Sequence, residues 1–169
     1  MRSPESVELP EVRELLTKCW MTHDAMWFLH CIQECGIEKA NRINKAAVNS
    51  MARIEVKRIM KLFEVEKIGA FEDLRQFLEA VESVVKADFM KFRTSFPREN
   101  LLRWDMLKCF AYEGVKRIGA LDVYQCGIFD RVQGWFEGMG VEYMVTPIEE
   151  GCMMHKQGVC FREFELRFR

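Results

Sequence analysis

The sequence predicts an α+β protein in which an N-terminal helical bundle packs on a C-terminal four-stranded antiparallel sheet with two helices. Upstream of about residue 86, apolar residues recur every three or four positions, as in amphipathic helices. Downstream, several segments alternate between apolar and polar residues, as in strands. With 169 residues, 49% of them hydrophobic, the chain can bury a substantial core. We expect a helical region over 1–85 and an α+β region over 86–169, integrated into one domain.

Three helices are predicted in the first region. The two long ones cover about 10–34 and 37–64, and Gly36 between them suits the left-handed position that ends a helix. A third segment follows Gly69. Its apolar residues repeat at helical spacing: Phe71, Leu74, Phe77, Leu78, Val81 and Val85.

The second region is predicted to follow the order β-β-α-α-β-β. Alternating runs on either side of 97–100 indicate a hairpin. Two helices, about 109–118 and 121–138, flank Gly119, and strands at about 141–148 and 159–168 follow. This order is typical of an antiparallel α+β unit.

The charge balance excludes some partners. Lys and Arg number 25 against 26 Asp and Glu, so no basic field favours nucleic acid. Charged residues interrupt every apolar run, which argues against a membrane span, and the N-terminus lacks a signal-peptide core. Seven cysteines, an odd number without an export signal, indicate a reducing cytoplasm. We expect a cytoplasmic protein that binds neither nucleic acid nor membranes; a homodimer stays open.

Four residues of the second region form a candidate metal site: Cys126, Glu149, Cys152 and Cys160. Three thiolates and one carboxylate are ligands that zinc accepts in tetrahedral geometry. Cys126 is expected on the second helix of this region, while Cys152 and Cys160 bracket a turn between the last two strands. The alternative is that these cysteines only fill gaps in the core. Substitute ligands are Glu150 and His155.

The other cysteines are interpreted more simply. Cys31 and Cys35 are neighbours at i and i+4, and they could share a metal ion or a redox event with Cys109 if the sheet packs there. The simpler interpretation is a row of thiols in a helix interface. No nucleophile elbow, phosphate loop or dinucleotide fingerprint accompanies them.

The segment from Phe89 to Phe168 resembles the small-molecule-binding domain named after 4-vinyl reductase, which is also the effector sensor of phenol-responsive transcription activators. The resemblance lies in the ending Glu149-x2-Cys152-x4-Gln157-Gly158-x-Cys160-Phe161-x-Glu163-Phe164. It implies a zinc ion held by Cys126, Glu149, Cys152 and Cys160 beside an enclosed apolar pocket. No ATPase core or DNA-binding segment accompanies it.

The first half has a resemblance of its own. The stretches 20–28, Cys35-Gly36-Ile37-Glu38-Lys39-Ala40 and Arg53-Ile54-Glu55-x2-Arg58-Ile59 are similar to stand-alone anaerobe proteins related to L-2-amino-thiazoline-4-carboxylate hydrolases. This similarity implies a hydrolase as an alternative function.

A ligand pocket is expected between the helices and the sheet. His23, Trp27 and His30 recur at i, i+4 and i+7, so they share one face of the first helix. Histidines among apolar residues are also common in ordinary cores. Further pocket candidates are Phe77, Trp104 and Tyr112, with Tyr124 or Tyr143 as alternative polar handles.

The main functional hypothesis is a protein that encloses a small apolar or aromatic molecule beside a structural zinc ion. Four protein ligands leave zinc no open position for water, which is typical of structural sites. One alternative is a metal-assisted hydrolase of a small thiazoline-like or C–N/C–S substrate, with His23 as base and Glu113 or zinc as auxiliary. The other is a structural module that binds a protein partner.

Overall fold

The computed structural model describes residues 3–168 and confirms the α+β class. The helices and strands follow the order α1, α2, α3, β1, β2, α4, α5, β3, α6, β4. The helices are α1 (Leu9–Cys35), α2 (Ile37–Leu62), α3 (Phe71–Val85), α4 (Phe110–Arg117), α5 (Ile128–Met139) and α6 (Met153–Gln157). The strands are β1 (Lys91–Arg98), β2 (Leu101–Lys108), β3 (Glu142–Thr146) and β4 (Phe161–Arg167).

The two long helices begin and end where local chemistry favours it. The Glu8 backbone N–H donates to the Glu11 carboxylate over 3.0 Å, which satisfies one free N–H at the start of α1. Gly36 has a φ of +79°, so the chain can turn there from α1 into α2. The inner face of α2 buries Ala52, Val56 and Ile59. In contrast, α1, all of which is described, contains no buried residue.

The sheet has the strand order β1-β2-β4-β3, with antiparallel neighbours. Alternate residues of β2 and β4 point into the core; on β4 these are Arg162, Phe164 and Leu166. Trp104 of β2 lies opposite Arg162. Pro97, predicted in the turn, belongs to β1, where an edge strand tolerates a residue that cannot donate a ladder hydrogen bond.

Helices α2 and α5 form the most extensive helix interface and join the two regions. Two glycines of α5 allow this approach. A Cβ atom on Gly134 would lie 2.6 Å from the Asn49 carbonyl oxygen, and one on Gly138 would lie 2.4 Å from Val56 Cγ1. The main core cluster contains residues of both regions, including Val56, Leu74, Leu102, Phe136 and Phe164.

The predicted helix 121–138 is wrong at its start, because α5 begins only at Ile128. The buried side chain of Asn41 on α2 holds the preceding segment as a turn and an irregular loop. Asn41 Nδ2 donates to the Val123 carbonyl over 2.8 Å, and the Gln125 N–H donates to Asn41 Oδ1 over 3.0 Å. These bonds replace the partners that a helix would have supplied. Cys126 therefore lies in the loop before α5.

Candidate metal centre

An enclosed cavity of about 10 Å³ lies beneath one end of the sheet, and four cysteines line it. They are Cys109, Cys126, Cys152 and Cys160, and all four are free thiols. Aromatic and thioether side chains close the rest of the wall: Tyr112, Tyr124, Phe129, Met106, Met153 and Met154. This volume suits a single ion or one water molecule, not an organic ligand.

The antiparallel pairing of β2 and β4 brings two of the cysteines together. Cys109 directly follows the last residue of β2, and Cys160 directly precedes the first residue of β4. Because antiparallel neighbours run in opposite directions, the last residue of β2 and the first residue of β4 lie at the same end of the sheet. The Met106 N–H donates to the Cys160 carbonyl over 2.8 Å and fixes the pairing at this end.

Two loops bring the other cysteines to the cavity. Cys126 precedes α5, and Cys152 caps the start of the short helix α6. The Gly151 N–H donates to Gln125 Oε1 over 3.0 Å, which joins these loops one residue before each cysteine. Gly151 has a φ of +85°, a conformation that glycine adopts at little cost.

Burial favours the protonated thiol at three of the four cysteines, namely Cys109, Cys126 and Cys160. Burial raises the pKa of Cys126 and of Cys160 to about 12, and it also raises the pKa of Cys109. Backbone N–H groups oppose these increases: that of Ile128 at Cys126 and that of Met154 at Cys160. A cation could displace the protons, because metal binding converts thiols to thiolates.

A buried guanidinium forms part of the same wall. Arg162 is only 6% exposed and lines the cavity. Its hydrogen-bond acceptors are neutral: Met153 Sδ at 3.2 Å, the Phe161 carbonyl at 2.7 Å and the Glu149 carbonyl at 3.5 Å. Its guanidinium also lies 5.0 Å from the Phe129 ring centre. The Glu149 carboxylate also interacts electrostatically with Arg162, although it does not accept a hydrogen bond from it. A buried charge whose hydrogen-bond acceptors are all neutral is costly, so this wall favours an anionic group in the cavity.

The predicted carboxylate ligand lies outside this cavity. Glu149 Oε1 accepts from Lys156 Nζ over 2.8 Å, and Glu149 Oε2 accepts from Gln157 Nε2 over 3.1 Å. The Lys156 ammonium also lowers the pKa of the Glu149 carboxyl by hydrogen bonding to it. Of the substitute ligands, His155 Nε2 lies 2.8 Å from Asp122 Oδ1, and Glu150 is exposed. Within residues 3–168, no three His, Cys, Asp or Glu side chains are gathered at metal-coordinating spacing.

The residues predicted to line a ligand pocket lie in four separate places. His23, Trp27 and His30 share a face of α1, as expected, but the side chain of His23 is 67% exposed and Trp27 is 63% exposed. Phe77 and Trp104 are buried in the core. Three further side chains fall elsewhere: Tyr112 and Tyr124 line the cysteine cavity, and Tyr143 donates to Gln133 and Glu137.

A groove of about 600 Å³ opens between α1, α2 and α3. Its walls are mostly apolar, and Glu55 and Arg58 supply charge. The Glu55 carboxylate accepts from the Arg131 guanidinium at 2.6 and 2.9 Å and from Trp135 Nε1 at 2.8 Å. The apolar lining is Trp20, Met51, Ile54, Ile59, Leu62, Val84 and Val85.

A family model described as "Family of unknown function (DUF6125)" matches residues 5–133. The chain belongs to this family. The match to DUF6125 includes Cys109 and Cys126 and ends before Cys152 and Cys160. No curated protein and no solved structure matches this DUF6125 chain. Among its described helices, none combines the length and apolar character needed to cross a membrane.

Sequence reasoning missed two residues of the cavity and most of the groove. Cys109 was grouped with Cys31 and Cys35, which lie on α1. Cys109 directly follows a predicted strand, and this position was the signal that could have placed it at one end of the sheet. Arg162 stands at an inward position of β4, so a charged residue in an otherwise apolar register was the second signal. Glu55 and Arg58 of the groove entered the sequence analysis only through the resemblance of the first half to another family.

Proposed function

We propose that this DUF6125 chain is a cytoplasmic protein that binds zinc through its C-terminal cysteines and a small apolar or aromatic molecule in the groove of its helical region. One observation carries the metal assignment. Cys126, Cys152 and Cys160, which the sequence spacing singled out, line the same enclosed cavity. The resemblance of 89–168 to the 4-vinyl-reductase domain supports the same three ligands.

The chemistry of the cavity fits a structural zinc ion. Soft sulfur donors come from three connections: the β2–α4 junction, the loop before α5 and the two ends of the α6 turn. A bound cation would tie these connections together, and its binding energy would add to the folding energy. The buried Arg162 would then face a zinc–thiolate cluster that carries net negative charge, instead of neutral thiols.

Metal analysis tests this assignment. Protein prepared without chelator should contain about one zinc ion per chain, as one tetrahedral site requires. The Cys126→Ser and Cys160→Ser variants should lose the metal, because each removes a soft ligand. Cys31→Ser is the matched control, since Cys31 lies on α1 and does not line the cavity. Equal zinc contents in all four proteins would refute the site.

The groove between α1, α2 and α3 is the better place for an organic ligand. Its volume of about 600 Å³ falls in the usual range for small-molecule sites, whereas the cysteine cavity has room only for an ion or one water molecule. Its walls are mostly apolar, and the cationic Arg58 could pair with an acidic group on the ligand. These properties favour a small aromatic molecule, including one that carries a carboxylate.

Thermal shifts with phenol and benzoate test the groove. Ile54→Asp places a charge in the groove wall and should weaken binding at least about tenfold, or 1.4 kcal/mol. Ile43→Asp is the matched control, because Ile43 is similarly exposed on α2 but does not line the groove. Arg58→Gln should reduce stabilisation by benzoate more than by phenol. Equal responses of the Ile54 and Ile43 variants would exclude the groove as the binding site.

A partner-binding module is the second candidate, and α1 is the observation that favours it. This helix of 27 residues buries none of them and exposes Leu9, Leu15, Leu16 and Trp27 by more than 60% each. Light scattering distinguishes the candidates. A homodimer that Leu16→Glu dissociates would support a structural role for α1, whereas a monomer would favour the ligand-binding function.

The hydrolase alternative relies on His23 and Glu113, and neither lines the groove or the cysteine cavity.

A further inference from the structure

The cavity contains one more thiol than the sequence spacing assigned to it. Cys109 lines its wall together with Cys126, Cys152 and Cys160. Zinc in closed sites takes four ligands, and four cysteines are a common set for structural zinc. The number of thiols at the cavity therefore already equals the number of ligands that zinc requires.

The placement of Cys109 suits a metal ligand. The residue caps the start of α4, and the Tyr112 N–H donates to its sulfur over 3.5 Å. Such bonds orient a thiolate and stabilise its negative charge. Cys109 is 7% exposed and lines the same cavity as Cys160, so solvent does not compete for its sulfur.

Glu149 is placed differently. Both of its carboxylate oxygens accept hydrogen bonds from α6, one from Lys156 and one from Gln157, and its side chain does not line the cavity. To reach a metal there, the carboxylate would have to leave an ion pair and a hydrogen bond. Cys109 requires no such exchange.

We infer that Cys109, not Glu149, is the fourth ligand, so that zinc is held by Cys109, Cys126, Cys152 and Cys160. This inference rests on the proposed zinc site and assigns its last position. Binding Zn²⁺ to the four thiols releases their four protons and leaves a cluster with two excess negative charges. The buried guanidinium of Arg162, whose acceptors are neutral, lies in the same wall and would compensate part of that charge.

X-ray absorption of the zinc-loaded, unmodified chain counts the ligands directly. Four sulfurs at about 2.3 Å are expected, whereas three sulfurs with one oxygen at about 2.0–2.2 Å would overturn the inference. This measurement does not depend on the folding of any variant. A wild-type chain that binds no zinc at all would refute the proposed site itself, which is a different result.

A pair of variants gives the same answer in solution. With Co²⁺ in place of zinc, Cys109→Ser should lose about a quarter of the sulfur-to-cobalt charge-transfer absorption and release metal to a chelator at least about tenfold more readily. Glu149→Gln is the matched control and should behave like the wild type, with circular dichroism confirming that both variants fold. Metal loss in Glu149→Gln, with wild-type behaviour of Cys109→Ser, would assign the carboxylate instead.

Discussion

Gly134 is the position where the packing of α5 on α2 can be tested most sharply. A Cβ atom there would lie 2.6 Å from the Asn49 carbonyl oxygen and 2.8 Å from Ala52 Cβ. Ordinary van der Waals contact begins at about 3.4 Å, so the first of these distances is about 0.8 Å too short. Because the Asn49 oxygen belongs to the backbone of α2, no side-chain rotation can relieve the clash. Gly134→Ala must therefore push the two helices apart.

The magnitude follows from two opposing terms. Overpacking of a buried interface costs about 1–3 kcal/mol, and a fixed backbone contact places Gly134→Ala at the upper end of that range. Alanine recovers about 1 kcal/mol through its higher helix propensity. The expected net loss in the free energy of unfolding is about 2 kcal/mol. With an m value of about 2 kcal/mol/M, the urea midpoint should fall by about 1 M.

Urea unfolding followed by circular dichroism measures this loss, with zinc held at one fixed excess because the proposed metal would also stabilise the folded state. Gly114→Ala in α4 is the matched control. A Cβ atom on Gly114 meets nothing within 4 Å, so this change should stabilise the chain by about 0.5–1 kcal/mol. If Gly134→Ala had the wild-type midpoint or followed Gly114→Ala, the close approach of α2 and α5 would be refuted.

Three further predictions concern polar side chains in the interior or partly buried, and urea unfolding measures each of them. Glu55→Ala leaves the Arg131 guanidinium and the Trp135 N–H without their acceptor and should cost about 3 kcal/mol; a loss below about 1 kcal/mol would show that this network is solvated. Trp135→Phe should cost about 2 kcal/mol more than Trp104→Phe, because the first loses a bond to a carboxylate. Trp104 Nε1, by contrast, is buried without a partner among the described residues. Equal costs would contradict that difference. Asn41→Ala should cost about 2 kcal/mol and increase the hydrogen exchange of 121–127, whereas unchanged exchange would mean that Asn41 does not hold this loop.

Local periodicity predicted most of the secondary structure, because the amphipathic pattern that defines a helix or strand lies within the segment itself. The observed bounds of α1 and α2 differ from the predicted ones by at most two residues. The error at 121–127 has a different origin. The backbone partners of that loop come from Asn41, more than 80 positions earlier, and a local pattern carries no information about them.

The helix α1 shows a second limit of the pattern. Its apolar residues were interpreted as part of a buried bundle, yet Leu15, Leu16 and Trp27 are largely exposed. Periodicity shows which residues share a face, but it does not identify the surface that covers the face. In this chain, α5 rather than α1 provides the main cover of α2, and α5 lies in the other half of the sequence.

The candidate site also has one part that the sequence pattern predicted and one part that it could not predict. The spacing of Cys126, Cys152 and Cys160 predicted a shared metal site, and the three residues line one cavity. Spacing could not choose between Glu149 and Cys109, since that choice depends on the strand order. The order β1-β2-β4-β3 makes β2 and β4 neighbours, which brings Cys109 and Cys160 to the same end of the sheet, whereas α6 supplies the two donors that hold Glu149 outside. A thiol encoded 51 positions before Cys160 thus reaches the same cavity through sheet topology, and the proposed fourth ligand follows from the fold rather than from the motif.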